Sequence, residues 1–280
     1  MSRYQATSLV YGLARYTLLA AFAIAAVAPF YWMVITSVKP VQELYAGKMP
    51  LWVEAPTWKH YAELLETYMF PRWFWNTIVV AVVSTAVSLV LGSLAAYGVT
   101  RTGTALVRQL TRVVLVTYLV PRAMLMIPLY QFLAALRLLD SQAGLVLAYL
   151  TFTVPFSVWL LIGFFQGIPR ELDEAALIDG CSRMQALVRV VLPLARPGLV
   201  AVTVYTFSLA WNEFLYPLVI IQSDAQKPLT VGIAALQQGD VFAWGPLMAA
   251  GTLAAIPIVT FYALIHRQIV AGVTAGAVKG

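Results

Sequence analysis

Few side chains in this 280-residue chain could carry covalent or metal chemistry. Cys181 is the single cysteine, which excludes an internal disulfide and a zinc cluster built on cysteines. His60 and His266 are the two histidines; Glu63 follows His60 by three residues, and no third ligand accompanies them. No Ser/His/Asp set, metal motif or nucleotide motif converges, and the Walker A pattern G-x-x-x-x-G-K-[ST] occurs nowhere. Two features remain. Arg122 and Glu213 are ionised side chains set inside long apolar stretches, and the polar run from Pro169 to Pro197 breaks the apolar pattern.

An ionised group at mid-bilayer costs at least about 2.5–3.5 kcal/mol on insertion scales, so such residues rarely face lipid. We expect Arg122 and Glu213 to face a pathway or a partner protein; a structural bond to a neighbouring helix is the other reading. On straight helices rising 1.5 Å per residue, Arg122 lies about 14 Å and Glu213 about 24 Å from the inner ends of their stretches, which argues against a tight mutual pair. Asn212 and Gln131 are candidates to hydrogen-bond a ligand in such a pathway, and Asn76 is expected to cap the helix it begins.

The elements that must position these residues are membrane helices. Apolar residues make up 61% of the chain and charged residues 11%, and mean hydropathy is +0.81, too little polar surface to wet a soluble globule. Six stretches are long enough to cross a bilayer, at about 16–38, 75–100, 113–136, 142–166, 197–222 and 243–265. Alternating segments of barrel type are absent. The first stretch has the basic flank of a secretory leader, but its apolar run continues to Val38, and Pro29 follows a second candidate cleavage site. Pro121, Pro128 and Pro155 are expected to kink or open their helices. With the N-terminus inside, the inner segments hold eleven basic against four acidic residues, and the outer ones six against seven. Both termini are therefore expected in the cytoplasm. The net charge of +6 is dispersed between spans and does not indicate nucleic acid.

The inner run 168–193 reads as an elbow of two short helices. Pro169 opens the first, whose positive end is matched by Glu171, Asp173 and Glu174. Gly180 stops it. Ser182 with Gln185 forms a capping box for the second, and Pro193 and Pro197 break the chain before the fifth span. Ala175 and Ala176 permit close approach of another protein, Leu177, Ile178, Leu187 and Val190 offer apolar anchors, and Glu174 and Asp179 offer charge. A loop that merely covers helix ends is the alternative.

The spacing Glu174-Ala175-Ala176, three residues, Gly180, nine residues, Val190-Val191-Leu192-Pro193 resembles the EAA signature of ABC importer permeases, with Val190 in place of Ile. Trp211-Asn212-Glu213-Phe214 is similar to the W-N-[DE]-F element of sugar-importer permeases, and the tail 269–280 to the G-L-T-x-G-[AG]-V-K-G ending of the maltose G subunit branch, with Val273 for Leu. The resemblance implies an all-α integral membrane protein of type I importer fold: one permease domain of residues 1–280 with six transmembrane helices and a cytoplasmic coupling elbow at 168–193. It implies a bacterial or archaeal inner-membrane machine that imports a sugar. The machine comprises a homologous second permease, two copies of an ATPase carrying ATP and Mg, and an external sugar-binding protein, with no cofactor in this chain. It places Glu174, Ala175, Ala176, Asp179, Gly180, Leu192 and Pro193 against the ATPase. The tail 267–280, with Gly272, Gly276 and Lys279, would lie between the ATPase subunits; a frayed end is the rival. The outer loop with Gln237, Gln238, Gly239 and Asp240 would reach the binding protein, unless it is a plain hairpin. A secondary transporter or channel is the rival from another class, though the chain holds a single intramembrane carboxylate.

Overall fold

The structure, a computed structural model, describes the backbone of residues 3–46, 50–238 and 241–277, with side chains in 11–46, 50–237 and 243–265. Among the described residues the regular structure is helical apart from one ribbon of two-residue strands. In chain order the elements are α1 (Arg3–Ser37), α2 (Val41–Leu44), α3 (Lys59–Glu66), α4 (Phe70–Tyr97) with a π turn (Gly98–Thr102), α5 (Ala105–Thr117), α6 (Arg122–Ala135) and α7 (Gln142–Gln166). They continue as α8 (Arg170–Ile178), α9 (Arg183–Ala186), a second π turn (Leu187–Val191), α10 (Leu192–Leu194), α11 (Arg196–Trp211), α12 (Leu215–Ile220), a 3-10 turn (Asp224–Gln226) and α13 (Leu229–Ala234). An antiparallel pair, β1 (Gln237–Gln238) and β2 (Val241–Phe242), precedes α14 (Trp244–Ala277), with Gln237 opposite Phe242. Contacts group the chain into two units, Met1–Tyr68 with Ala235–Ala255, and Met69–Ala234 with Ile256–Gly280.

Among the described residues four helical stretches are each long and apolar enough to cross a membrane: Tyr11–Ser37, Phe70–Thr102, Gln142–Gln166 and Trp244–Ile265. Counting each bent helix pair as one span gives six. The third stretch departs from expectation. It is not one straight helix over 113–136, because α5 and α6 meet at 111°. Tyr118, Leu119 and Val120 wind out of α5 on hydrogen bonds to carbonyls three residues back. Pro121 then cannot donate, and it opens α6 at its N-cap. The last helix also runs past the expected 265 to Ala277.

In the first unit α1 exposes apolar side chains along most of its length, Tyr11, Leu13, Phe22 and Ile24 among them. A helix apolar all round is stable only with lipid or another protein against it. Beyond its end the chain is tightly tied. Lys39, 2% exposed, donates from Nζ to the Pro50 carbonyl at 2.6 Å and lies 4.7 Å from the Trp32 ring centre. The Nε2 of buried His60 bonds to the Lys39 carbonyl at 2.8 Å. His60 and Leu64, four apart, form the buried face of α3.

The second unit is built on α4, α7 and α11. Lipid tails are as apolar as leucine, so helices in a membrane associate through close packing and small polar side chains. Such a seam joins α4 to α7: Ser88 Oγ donates to Thr153 Oγ1 at 2.7 Å, and a Cβ on Gly92 would stand 2.7 Å from the Ser157 Cβ. Towards the elbow the core is Ala96, Leu161, Phe165, Leu187, Val191 and Val202.

At the opposite end, segment 221–228 is fastened across the helix tops. Asn76 does not cap α4; its Nδ2 donates to the carbonyls of Ala225 and Lys227 at 2.9 and 3.0 Å. Trp73 Nε1 donates to the Asp224 carbonyl at 3.0 Å. Asp140, in the turn before α7, takes the left-handed conformation at φ 53, which aspartate tolerates better than most residues. Its Oδ1 accepts from Gln222 N, Ser223 N and Ser223 Oγ at 2.9–3.0 Å. The Ser223 N–H is the main cause holding this carboxyl below the usual 3.8; modest burial opposes it, and the Gln222 N–H and Ser223 hydroxyl add to it. A depressed carboxylate stabilises the fold fully above its ordinary pKa and loses that contribution as pH falls through the folded value. Asp140→Asn should therefore lower the melting temperature of purified protein by a constant amount from neutral pH down to the usual carboxylate range, and the gap should close below it. A gap independent of pH would remove the charge from this account.

Candidate functional site

Arg122 and Glu213 meet. Arg122 Nη1 donates to Glu213 Oε2 at 3.0 Å, so the expected offset between them is wrong. The linear depth estimate assumed unbroken helices. Arg122 is instead the first residue of α6, just past the bend, and Glu213 lies in the break between α11 and α12.

The break in the fifth stretch explains the carboxylate. Asn212 and Glu213 end α11, and α12 restarts two residues later with exposed N–H groups at its positive end. Glu213 Oε1 accepts from Leu215 N at 3.0 Å and Tyr216 N at 3.3 Å, capping α12. Thr230 Oγ1 donates to the Glu213 carbonyl at 2.7 Å. Glu213 is thus 8% exposed and fully employed, whereas the Arg122 side chain is 47% exposed, with its guanidinium 5.0 Å from the Phe152 ring centre.

Two cavities flank the pair. One, of about 280 Å³, is lined by Thr117, Tyr118, Arg122, Thr151, Phe152 and Tyr216, among others. The other, of about 340 Å³, is lined by Arg122, Tyr205, Ser208, Asn212, Glu213 and Tyr262, with Leu209. Phe156 stacks on Tyr205 at 3.9 Å between ring centres. Asn212 is exposed, although its Nδ2 is committed to the Ser208 carbonyl at 2.8 Å. Gln131 is exposed on α6 and lines neither cavity. The combination of aromatic faces with Arg122, Asn212, Ser208 and tyrosine hydroxyls can stack on a sugar ring and bond its hydroxyls.

The elbow has the caps its sequence requires. Gly180 takes φ +86 after α8; its N–H bonds to the Leu177 carbonyl, and the Cys181 N–H reaches back to Ala176, closing a Schellman turn. Ser182 and Gln185 complete the capping box at 3.3 and 2.8 Å. Pro169 sits at the N-cap of α8, and α11 leaves α9–α10 at 81°.

The two faces of the elbow differ. Asp173 and Ala176, three apart, point inward, and Leu187 and Val191 join the helix core. Leu187 is therefore no anchor for a partner, because it packs into the core against α4 and α7; Val190 is half-buried. Glu174, Ala175, Leu177, Ile178 (86% exposed), Asp179 and Gly180 stay outward, with Pro193 exposed and Leu192 half-buried.

Sequence reasoning missed the inward contact. Arg101, in the π turn ending α4, forms an ion pair with Asp173; the side chains are 8% and 7% exposed. Its Nη2 donates to the Ile168 carbonyl at 3.0 Å, and Arg170 Nη2 donates in return to Thr100 O at 2.8 Å. No spacing joins residues 101 and 173.

Of the outer loop, Gln237 is exposed and Gln238 is described by its backbone alone, in β1; Gly239 and Asp240 lie outside the described residues. In the tail, Gly272 and Gly276 fall within the backbone of α14, and Lys279 lies outside the described residues.

A family described as "Binding-protein-dependent transport system inner membrane component" matches residues 88–275. The inner membrane ABC transporter permease protein YcjP of Escherichia coli is 36% identical over 264 residues, 94% of each chain. The trehalose/maltose transport system permease protein MalG of Thermococcus litoralis is 34% identical over 256 residues, 90% of this chain and 91% of that one. A solved chain from a bacterial ABC transporter involved in import of the acidic polysaccharide alginate superposes with TM-score 0.81 at 22% identity, over 95% of this chain and 98% of that one. That likeness gives the fold.

The Arg122–Glu213 geometry makes a quantitative statement. Glu213→Ala removes the cap of α12 and leaves a cation without its partner, a loss of about 1–3 kcal/mol. Arg122→Ala should cost less, because half of that side chain is already solvated. The double variant should be no less stable than Glu213→Ala alone, measured by thermal unfolding in detergent. Additive losses would mean that the pair is not coupled.

Proposed function

We propose, for a chain that belongs to the inner membrane components of binding-protein-dependent transport systems, that it lines half of a sugar pathway and converts ATPase closure into alternating access. It is a permease subunit of an ABC importer and not an enzyme; hydrolysis is left to a separate partner. This places it among ATP-driven machines and removes the secondary transporter or channel reading.

The observation that carries the coupling role is the two-faced elbow. Its inner face is held by Arg101, Leu187 and Val191, and its outer face presents Glu174, Ala175, Ile178 and Asp179 with no cover. An ATPase docked there, one of two copies binding ATP and Mg, would push on α7 and α11 at once, since the elbow joins them. Rigid-body motion around a midplane site would follow. A second, homologous permease would cover the apolar flank and close the pathway.

Sugar is supported by two features. The Thermococcus litoralis relative is named for trehalose and maltose. In this chain the cavities beside Arg122 combine aromatic faces with hydroxyl and amide groups, as sugar recognition requires. Arg122 and Glu213 neutralise each other, which favours an uncharged ligand. Asn212 would contribute at the wall, Gln131 farther along it. We place both termini in the cytoplasm of a bacterial or archaeal cell on the charge bias. The loop at Gln237, Gln238, Gly239 and Asp240 would meet an external sugar-binding protein, and the tail with Gly272, Gly276 and Lys279 would meet the ATPase pair.

Gly180 offers the test. A Cβ there meets open space, so substitution acts through the backbone alone. Valine in the left-handed region costs about 1–2 kcal/mol and should re-aim the turn after α8. Gly180→Val and Glu174→Lys should each leave the chain in the membrane but cut ATP-driven sugar uptake about tenfold or more. Coupled uptake surviving both substitutions would show that the elbow is not the docking surface.

A further inference from the structure

The elbow is joined covalently to α7 and, through α10, to α11. The structure ties it to a third helix. α4 ends in the π turn Gly98–Thr102, closed by Gly103 at φ +59. Thr100 and Thr102 bond back to the carbonyls of Ala96 and Gly98, which keeps this turn continuous with the helix. From it Arg101 reaches Asp173 on the inner face of α8 and the Ile168 carbonyl just before α8. Arg170, the first residue of α8, reaches back to the Thr100 carbonyl. Two arginines on opposite elements thus each hold the other element's backbone, with a buried ion pair at the centre. Among the described residues the Arg101 guanidinium is the ion-pair partner of the Asp173 carboxylate, whose two oxygens accept no hydrogen bond.

A buried pair is a poor source of net stability, since both ions lose water, but breaking it by removing one partner leaves an uncompensated charge. Such a contact is suited to keeping two elements in one geometry, because separation is penalised over a very short distance. Tyr97, Arg183, Glu174 and Leu177 line the remaining walls of the same cleft, so charge of both signs is close to the pair.

We propose that Arg101 and Asp173 are positioning residues that make α4 and the elbow one rigid body, so that a push on the elbow moves the second span together with the fourth and fifth. The inference rests on the coupling role proposed above. It adds that α4, which the chain path leaves unattached to the elbow, is driven directly, and it identifies the contact that drives it.

The test uses the complete transporter, with partner permease, ATPase and binding protein, in proteoliposomes. ATP hydrolysed per sugar imported is measured, with ATPase retention on co-purification as the control for assembly. Asp173→Asn and Arg101→Ala should raise that ratio about tenfold while hydrolysis continues. Arg101→Lys, which keeps the charge but not the two-point guanidinium contact, should restore it in part, to a ratio between those of the parent and of Arg101→Ala. Hydrolysis and import falling in proportion, an unchanged ratio, or a lysine variant as defective as alanine would overturn the proposal. Should the neutral variants fail to assemble, spin labels at exposed Leu94 on α4 and exposed Leu172 on α8, with Arg101 and Asp173 intact, decide the question. Their separation should stay constant within about 2 Å through the nucleotide cycle, and a larger change would overturn the proposal. Uptake by the parent transporter in the same vesicles tests the underlying reading separately: absence of ATP-driven sugar import there would refute the importer role, whatever the variants do.

Discussion

A polar group inside a bilayer has no water to satisfy it, and each helix break in the hydrocarbon region exposes several such groups. This chain bends after Thr117 and breaks after Trp211, and both interruptions answer to one contact. Glu213 caps the restarted helix α12 and receives the guanidinium that begins α6. The charge that looks costly on a hydropathy plot is the means by which two irregular segments meet. Around it the protein has room to expose tyrosine, asparagine and serine to a cavity while α4 and α7 stay packed through serine, threonine and glycine.

The same economy governs the other end. The elbow must be firm on one side and free on the other, and its amphipathic pattern produces that division: Asp173 and Ala176 turn inward, Glu174, Ile178 and Asp179 outward. Firmness comes from ion pairing and core packing, and shape from two local caps at Gly180 and Ser182.

What was legible in the sequence was local. The Schellman turn at Gly180, the capping box of Ser182 and Gln185, and the long apolar stretches depend on residues within a few positions of each other. The resemblance to the importer permeases was carried by such local spacing too. What was not legible was long-range. Arg101 and Asp173 are brought together by packing of α4 on the elbow, and nothing near either residue encodes it. Arg122 and Glu213 were both singled out, but Pro121 reverses the chain by more than a right angle, and that invalidated the straight-helix depth that had separated them. Asn76 looked like a cap because it stands near a helix start, yet its amide serves a loop some 150 positions away. Leu187 reads as an anchor from its apolar side chain alone, and its packing against α4 and α7 is a long-range contact too.

The central claim is that the outward face of α8 is where the ATPase acts. A photo-reactive amino acid at Ile178, 86% exposed, reports this directly, with Trp159, 60% exposed on α7, as the reference position. In membranes holding the assembled importer, illumination should join Ile178 to the ATPase, and Trp159 should not be joined to it. Capture of lipid alone at Ile178, or equal capture at both positions, would contradict the account.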